Sequence, residues 1–391
     1  MWLLAAALAS PAFATADPVR AVGQTCAQLA TEKPDDFPAR LCASMSLEEK
    51  LAQMIMSYPP LDKEAPVTVG AVIILGPLLK NAKTIRERVA DLQKRSRVPL
   101  LVAVDMEGGK LNRLQFVPGL KSAPSGQALG KMTEAEVEAW GRKVGREMRA
   151  LGLNCNLGPV LDLAGSGLMF ESERSMGDDP ARVARLGAAY ARGQRAEGVV
   201  PIGKHFPGYG ELAENSDYNL VVTDRSAELI EQHAKAFFDV GNHLGGVMLT
   251  NVGFSVHGAM PAILSPNLVA MAHRNGNGWV TMTDDLAVKT LGNATGGDQE
   301  EVVRRAFLAG NDFLLTTAPV DWEKAIDLRR LMRELVEQRP ELLARVDASV
   351  LRILRLKESA GLLETLKRPR TTSGKSHKGQ VSQGTRGKGA L

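Results

Sequence analysis

Eight short apolar or β-branched runs recur along the chain with amphipathic helical stretches between them, and this alternation constrains the fold more than any other feature. The runs are Leu51–Met56, Val69–Leu75, Leu100–Asp105, Asn154–Leu161, Val200–Lys204, Gly246–Thr250, Trp279–Thr283 and Asp312–Thr316. Helical patterns between them include Thr133–Leu151, Ala181–Gly198, Ala227–Gly241 and Asp298–Ala309. Strands separated by helices pair in parallel through right-handed crossovers. Eight such units predict a single α/β domain, a (β/α)8 TIM-type barrel with long loops. A doubly wound open sheet is the competing arrangement, but no Gly-x-Gly-x-x-Gly turn opens a helix, so a dinucleotide fold has no positive support.

The two ends read differently from this body. Met1 to Ala14 is almost wholly apolar, and Ala12-Phe13-Ala14 and Ala14-Thr15-Ala16 both fit a small-x-small cleavage pattern. The stretch is shorter than the roughly 20 residues that span a bilayer. Residues 1–16 are therefore expected to be a secretory signal, which places the protein in the periplasm or outside the cell. No Lys or Arg precedes the run, so an ordinary buried N-terminal helix in a cytoplasmic protein stands as the alternative. Residues 17–44 form an N-terminal extension and 45–366 the barrel. The final stretch, 367–391, is rich in Gly, Ser, Thr, Lys and Arg, has too little apolar surface to offset ordering, and is expected to be disordered. It holds seven Lys or Arg and no acid, so the net charge of +4 becomes 4 − 7 = −3 for the rest. A slightly acidic body gives no support to a nucleic-acid partner. No later run is apolar enough for a transmembrane segment, and a monomer is expected. Of the three cysteines, Cys26 and Cys42 are placed to pair if the chain is exported, leaving Cys155 in an apolar run; three unpaired thiols are the other reading.

A barrel puts reactive groups where its strands end. Polar residues follow five of the eight runs: Asp105 and Glu107, Asp162, Lys204 and His205, Asn251, and Asp284 with Asp285. Carboxylates facing one another suit acid–base or nucleophilic work on an uncharged, hydroxyl-rich substrate. Only six histidines occur, none at metal-ligand spacing, so neither a metal nor a cofactor is expected.

At these positions the sequence resembles glycoside hydrolase family 3, in its bacterial β-N-acetylhexosaminidase branch. Lys204-His205-Phe206-Pro207-Gly208-Tyr209-Gly210 is similar to the Lys-His-Phe-Pro-Gly-His-Gly signature. Asp105-Met106-Glu107-Gly108-Gly109-Lys110 with Arg113 resembles the Asp-Gln-Glu-Gly-Gly-Arg box. Met45 to Lys50 with Gln53-Met54, Gly158 to Leu163, Glu173 to Gly177, Pro261 to Ser265 and Thr283 to Leu286 extend the likeness in the same order. The resemblance covers about Met45 to Leu363. It implies a retaining hydrolase that releases terminal β-linked N-acetylglucosamine, as from cell-wall fragments, with Asp284 as nucleophile. Asp105, Arg113, Arg174, Lys204 and His205 would hold the sugar. Blander roles are an N-cap for Asp284, a surface ion pair with Glu171 or Asp178 for Arg174, and a satisfied buried pair for Lys204 and His205.

The likeness breaks in one loop. The branch carries Asp-x-His there, its His being the acid–base catalyst; here those positions are Asn215 and Asp217. Tyr209 and Asn251 stand where two further histidines are usual. Either Asp217 protonates the leaving group, with Glu211 and Glu214 in the same mobile loop, or the chain binds glycans with little turnover. A phosphorylase ranks lower, because these acids would repel phosphate.

Overall fold

The computed structural model describes residues 24–274, 278–319 and 326–367. The expected signal segment and all but the first residue of the basic tail lie outside the described residues. Eight strands form one parallel sheet: β1 (Ile55–Tyr58), β2 (Ala71–Ile73), β3 (Leu101–Val104), β4 (Cys155–Asn156), β5 (Val200–Phe206), β6 (Gly246–Leu249), β7 (Val280–Met282) and β8 (Leu314–Pro319). Around the sheet they stand in chain order, β8 pairing with β1 and β7 ending the row. Met282 then bridges Phe313 in parallel, and Leu286 N–H donates to Leu315 O at 2.9 Å, so the two ends of the sheet meet. The result is a nearly closed barrel. β3, β5 and β6 are buried along their whole length, as strands covered on both faces must be.

The longer helices are α1 (Cys26–Glu32), α2 (Phe37–Ala43), α3 (Leu47–Gln53), α4 (Ala82–Arg95), α5 (Glu134–Ala150), α6 (Pro180–Ala196), α7 (Ala227–Val240), α8 (Pro266–His273), α9 (Gln299–Ala309), α10 (Leu328–Gln338) and α11 (Leu342–Ser359). Their starts are written in the sequence. Thr133 and Glu136 form a reciprocal capping box on α5, Asp179 caps α6 ahead of Pro180, and Ser226 caps α7. α5 turns Val137, Val144 and Met148 inward at helical spacing and packs on α6.

Three expectations need correction. Leu51–Gln53 is not strand but the last turn of α3, and β1 begins at Ile55. The helix buries Leu51, Ala52 and Gln53 just before a buried strand, so the apolar run is continuous and its period does not reveal the change. The Ser46–Glu49 capping box was the signal that could have separated them. Residues 59–70 hold no helix, so the first strand–helix unit is incomplete. The Asn154–Leu161 run shortens to Cys155–Asn156, with Pro159 lacking the N–H a ladder needs.

Cys26 and Cys42 form a disulfide that joins α1 to α2. Cys155 is a buried free thiol whose pKa burial pushes up to about 12. No helix among the described residues is long and apolar enough to cross a membrane.

α11 packs against α2, α3 and β7, and it carries Lys357 into the core with no exposed surface. The ammonium donates to Gln53 Oε1 at 2.7 Å, and no carboxylate pairs with it among the described residues. Burial pushes its pKa down to about 7. Between that value and the ordinary lysine value of about 10.4 the unfolded chain binds the extra proton, so stability must rise with pH across this window. Lys357→Met is expected to flatten that rise and to stabilise the protein at pH 7 by about 1 kcal/mol or more in urea denaturation. An unchanged pH slope would mean that Lys357 stays charged in the fold.

Candidate active site

The carboxyl ends of the strands surround a cleft of about 450 Å³. Its position follows from the barrel; its chemistry follows from the loops. After β3 the chain makes a small antiparallel hairpin, Met106–Gly108 with Leu111–Asn112, which presents Glu107 and leads to Arg113. Gly108 sits at φ +85°, and a Cβ there would lie 2.0 Å from the Pro124 carbonyl oxygen, so only glycine fits this turn. Gly126 acts similarly for Arg174: a Cβ would lie 1.9 Å from the Arg174 carbonyl oxygen, and its absence lets the two segments touch.

Glu107 is the hub. Arg174 grips it with both Nε and Nη2, at 2.8 and 2.9 Å, and Lys204 Nζ approaches Glu107 Oε1 at 2.7 Å. Lys204 also donates to Asp105 Oδ1 at 2.7 Å. Burial would raise the Glu107 carboxyl, but the two cations overcome it and hold the group well below the usual carboxylate range. Burial likewise works against the charged form of Lys204, and Asp105 and Glu107 reverse that and raise its pKa.

His205, next to Lys204 at the end of β5 across a cis peptide bond, joins this group to a second buried acid. Its Nδ1 lies 2.6 Å from Asp162 Oδ2, and its Nε2 lies 3.2 Å from Arg174 Nη2. A guanidinium can only donate, so Nε2 accepts and Nδ1 carries the proton. Asp162 also accepts the backbone N–H of His205 at 3.2 Å and that of Tyr209 at 2.6 Å. Burial disfavours its charge, yet His205 and these donors keep its pKa below the ordinary value.

Across the cleft, Asp284 and Asp285 follow β7 and are treated differently. Asp285 accepts from Ala287 N–H, Thr317 N–H and the Thr317 hydroxyl, at 2.9, 3.0 and 2.6 Å. Among the described residues, Asp284 accepts only the N–H of Asp285, at 2.8 Å. Its surface reaches the cleft, but protein crowds it on other sides, and this burial pushes its pKa up to about 6. His205 opposes the shift, and an ionised Asp217 adds to it.

Asp105, Arg113, Arg174, Lys204, His205, Asp217 and Asp284 all line this one cleft, although they come from points spread over 180 residues of chain. Arg113 is exposed and has no ion pair or hydrogen bond among the described residues. The blander roles fare unevenly. Arg174 pairs with Glu107, not with Glu171 or Asp178. Asp284 caps no helix, since the next one is a 3-10 segment capped at Val288. Lys204 and His205 are indeed satisfied by neighbours, while also facing the cleft. Glu211 and Glu214 lie off the cleft lining: Glu211 accepts from Gly165 N–H at 3.3 Å, and the Glu214 carbonyl accepts from Tyr209. Glu107 and Asp162 are the participants that sequence reasoning left without a role. Their positions in the Asp-Met-Glu box and directly after an apolar run were the available signal. Among the described residues, three metal-ligating side chains converge only at Cys26, Cys42 and Asp347, where both sulfurs are held in the disulfide.

Removing the hub leaves two cations without their shared partner, so Glu107→Gln is expected to cost about 3 kcal/mol of stability by urea denaturation. A loss below about 1 kcal/mol would mean that water already neutralises the network's field.

Residues 46–356 match the model of the glycosyl hydrolase family 3 N-terminal domain. The β-hexosaminidase LpqI of Mycobacterium bovis is 32% identical over 371 residues, covering 89% of each chain. The crystal structure of a β-N-acetylhexosaminidase from Beutenbergia cavernae superposes with a TM-score of 0.71 at 27% identity, over 81% of this chain and 99% of that one. LpqI of M. tuberculosis also superposes at 0.71, with 29% identity over 82% of this chain and 96% of its own. A family model matched over most of the barrel, with relatives alike over nearly their whole length, establishes that this chain belongs to glycosyl hydrolase family 3.

Proposed function

We propose that the protein is a retaining β-N-acetylhexosaminidase that releases terminal β-linked N-acetylglucosamine through a covalent glycosyl–Asp284 intermediate, with Asp217 as acid and base. The observation that carries this reading is that Asp284 and Asp217 border one cleft, together with Lys204, Arg174 and His205. The names borne by the relatives support the substrate class. An exported enzyme of this kind would meet such residues in cell-wall fragments.

The chemistry follows from the unused bonding capacity. Lys204 spends two of its three N–H donors on Asp105 and Glu107, which leaves one for a sugar hydroxyl. Asp105 keeps an oxygen free to accept, and Arg113 is uncommitted. The Arg174–Glu107 and His205–Asp162 pairs hold their members rigid, so little reorganisation accompanies binding. Asp284, ionised, attacks the anomeric carbon and forms an ester as the glycosidic C–O bond breaks. Asp217 gives its proton to the departing oxygen. Water then attacks the same carbon, loses its proton to Asp217, and frees both the sugar and the Asp284 carboxylate. No metal or cofactor enters these steps.

Two measurements test the assignment. A fluoro-sugar substrate analogue should leave its label on Asp284 in peptide mass spectrometry; a label elsewhere, or N-acetylglucosamine binding without any release of an activated aryl glycoside, overturns it in favour of a glycan-binding protein. The pH profile supplies the second. The nucleophile works only when ionised, so kcat/KM should fall as pH drops through about 6. Asp217→Asn leaves a side chain that cannot protonate the leaving group. The same variant should lose about 10²–10⁴-fold on substrates with poor leaving groups, and far less on activated aryl glycosides.

A further inference from the structure

The segment that carries Asp217 is fastened on two sides. From the end of β5, the buried Tyr209 hydroxyl donates to the Glu214 carbonyl at 2.6 Å and accepts from Ser216 N–H at 2.8 Å. From the loop after β7, the Thr290 hydroxyl reaches the carbonyls of Ser216 and Asp217 at 3.1 and 3.3 Å. Within the segment, the Asn215 side chain accepts from Asp217 N–H at 2.9 Å, closing a turn. The loop expected to be mobile is therefore tied both to the chain that leaves β5 and to the chain that leaves β7.

These ties have a geometric consequence. A retaining glycosidase needs its two carboxyl groups about 5–5.5 Å apart, close enough that one attacks the anomeric carbon while the other reaches the departing oxygen. Asp284 is fixed by the end of β7. Asp217 rides on a loop whose backbone has no strand pairing of its own among the described residues. Thr290 belongs to the chain that leaves Asp284, so its hydroxyl links the nucleophile's loop directly to the acid's loop. Tyr209 belongs to the chain that leaves His205, and its N–H is anchored on Asp162, so its phenol references the acid to the sugar-binding frame.

We infer that Tyr209 and Thr290 are positioning residues that set the placement of Asp217 relative to Asp284, so that a carboxylic acid serves in this loop. This rests on the reading of Asp217 as the acid given above. Both residues act through backbone groups of the loop: Thr290 lies off the cleft lining, and Tyr209, which borders the cleft, spends its hydroxyl on the loop.

The test compares two substrates by kcat/KM, which reports only steps up to formation of the glycosyl-enzyme. The disaccharide of β-1,4-linked N-acetylglucosamine needs protonation of its leaving group; the dinitrophenyl N-acetyl-β-glucosaminide does not. Losing the hydroxyl of Tyr209, as in Tyr209→Phe, should lower kcat/KM on the disaccharide about tenfold while leaving the dinitrophenyl substrate within about twofold. Thr290→Val should act in the same direction, and it guards against Tyr209→Phe failing to fold, since Thr290 is not part of the buried core. In an Asp217→Asn background neither change should have a further selective effect, because there is no acid left to place. Equal losses on both substrates, or a selective loss that persists without Asp217, would overturn the inference. If Asp217→Asn itself shows no leaving-group selectivity, it is the assignment of the acid that fails, and the two failures are thus distinguished.

Discussion

The site depends on one arrangement: a single buried carboxylate, Glu107, shared by a lysine at the end of β5 and an arginine from the loop after β4. Burying a cation costs several kcal/mol unless a partner meets it with good geometry. Glu107 meets Arg174 with two parallel bonds and Lys204 with one, so both positive side chains are kept in place and charged beside an opening to water. Arg174 in turn donates to Nε2 of His205, which leaves the proton on Nδ1, and Nδ1 donates to Asp162. Four charged or polar residues thus owe their orientation to an acid that itself is almost hidden. The frame exists before any sugar arrives, and this is the condition under which fixed charges act strongly on a reacting group.

The adjacent aspartates 284 and 285 show how local bonding divides two identical side chains into different roles. Asp285 has three donors, two of them from Thr317 on β8, and its charge is absorbed in closing the barrel between β7 and β8. Asp284 has one donor among the described residues and a crowded environment, and is left with a raised pKa and free acceptor capacity. Acceptor capacity is left on Asp284 because the structural task falls to Asp285.

Much of this was legible in the sequence, for identifiable reasons. Seven strands begin within two residues of where apolar runs place them, because parallel barrel strands are buried on both faces and stand out as short continuous runs. The exception, Leu51–Met56, joins a helix's inner face to a strand with no polar break, and composition cannot divide such a run. The cleft residues were found from their places after strands and from motif likeness. Glu107 was passed over because a carboxylate between two others carries no mark of which cations will reach it; Arg174 lies 67 residues away and Lys204 97. Tyr209 was seen only as a missing histidine, since its bonds go to backbone atoms, which no side-chain pattern reports.

The opposite end of the barrel holds a comparable group of charges with a different outcome. Asp312, just before β8, receives two nitrogens of Arg352 at 2.7 to 3.1 Å and the N–H of Thr281 from β7 at 3.0 Å. The oxygens of Asp312 are thus saturated by donors that join β7, β8 and α11, and the acid has no exposed surface. At the carboxyl face the analogous acids are left partly unspent among the described residues: Asp105 with one oxygen free, Asp284 with a single donor. Residue type therefore does not separate structural from reactive charge in this fold. What separates them is whether the surrounding backbone completes their hydrogen bonds, and at the carboxyl ends the long loops stop short of doing so, leaving those bonds for a substrate.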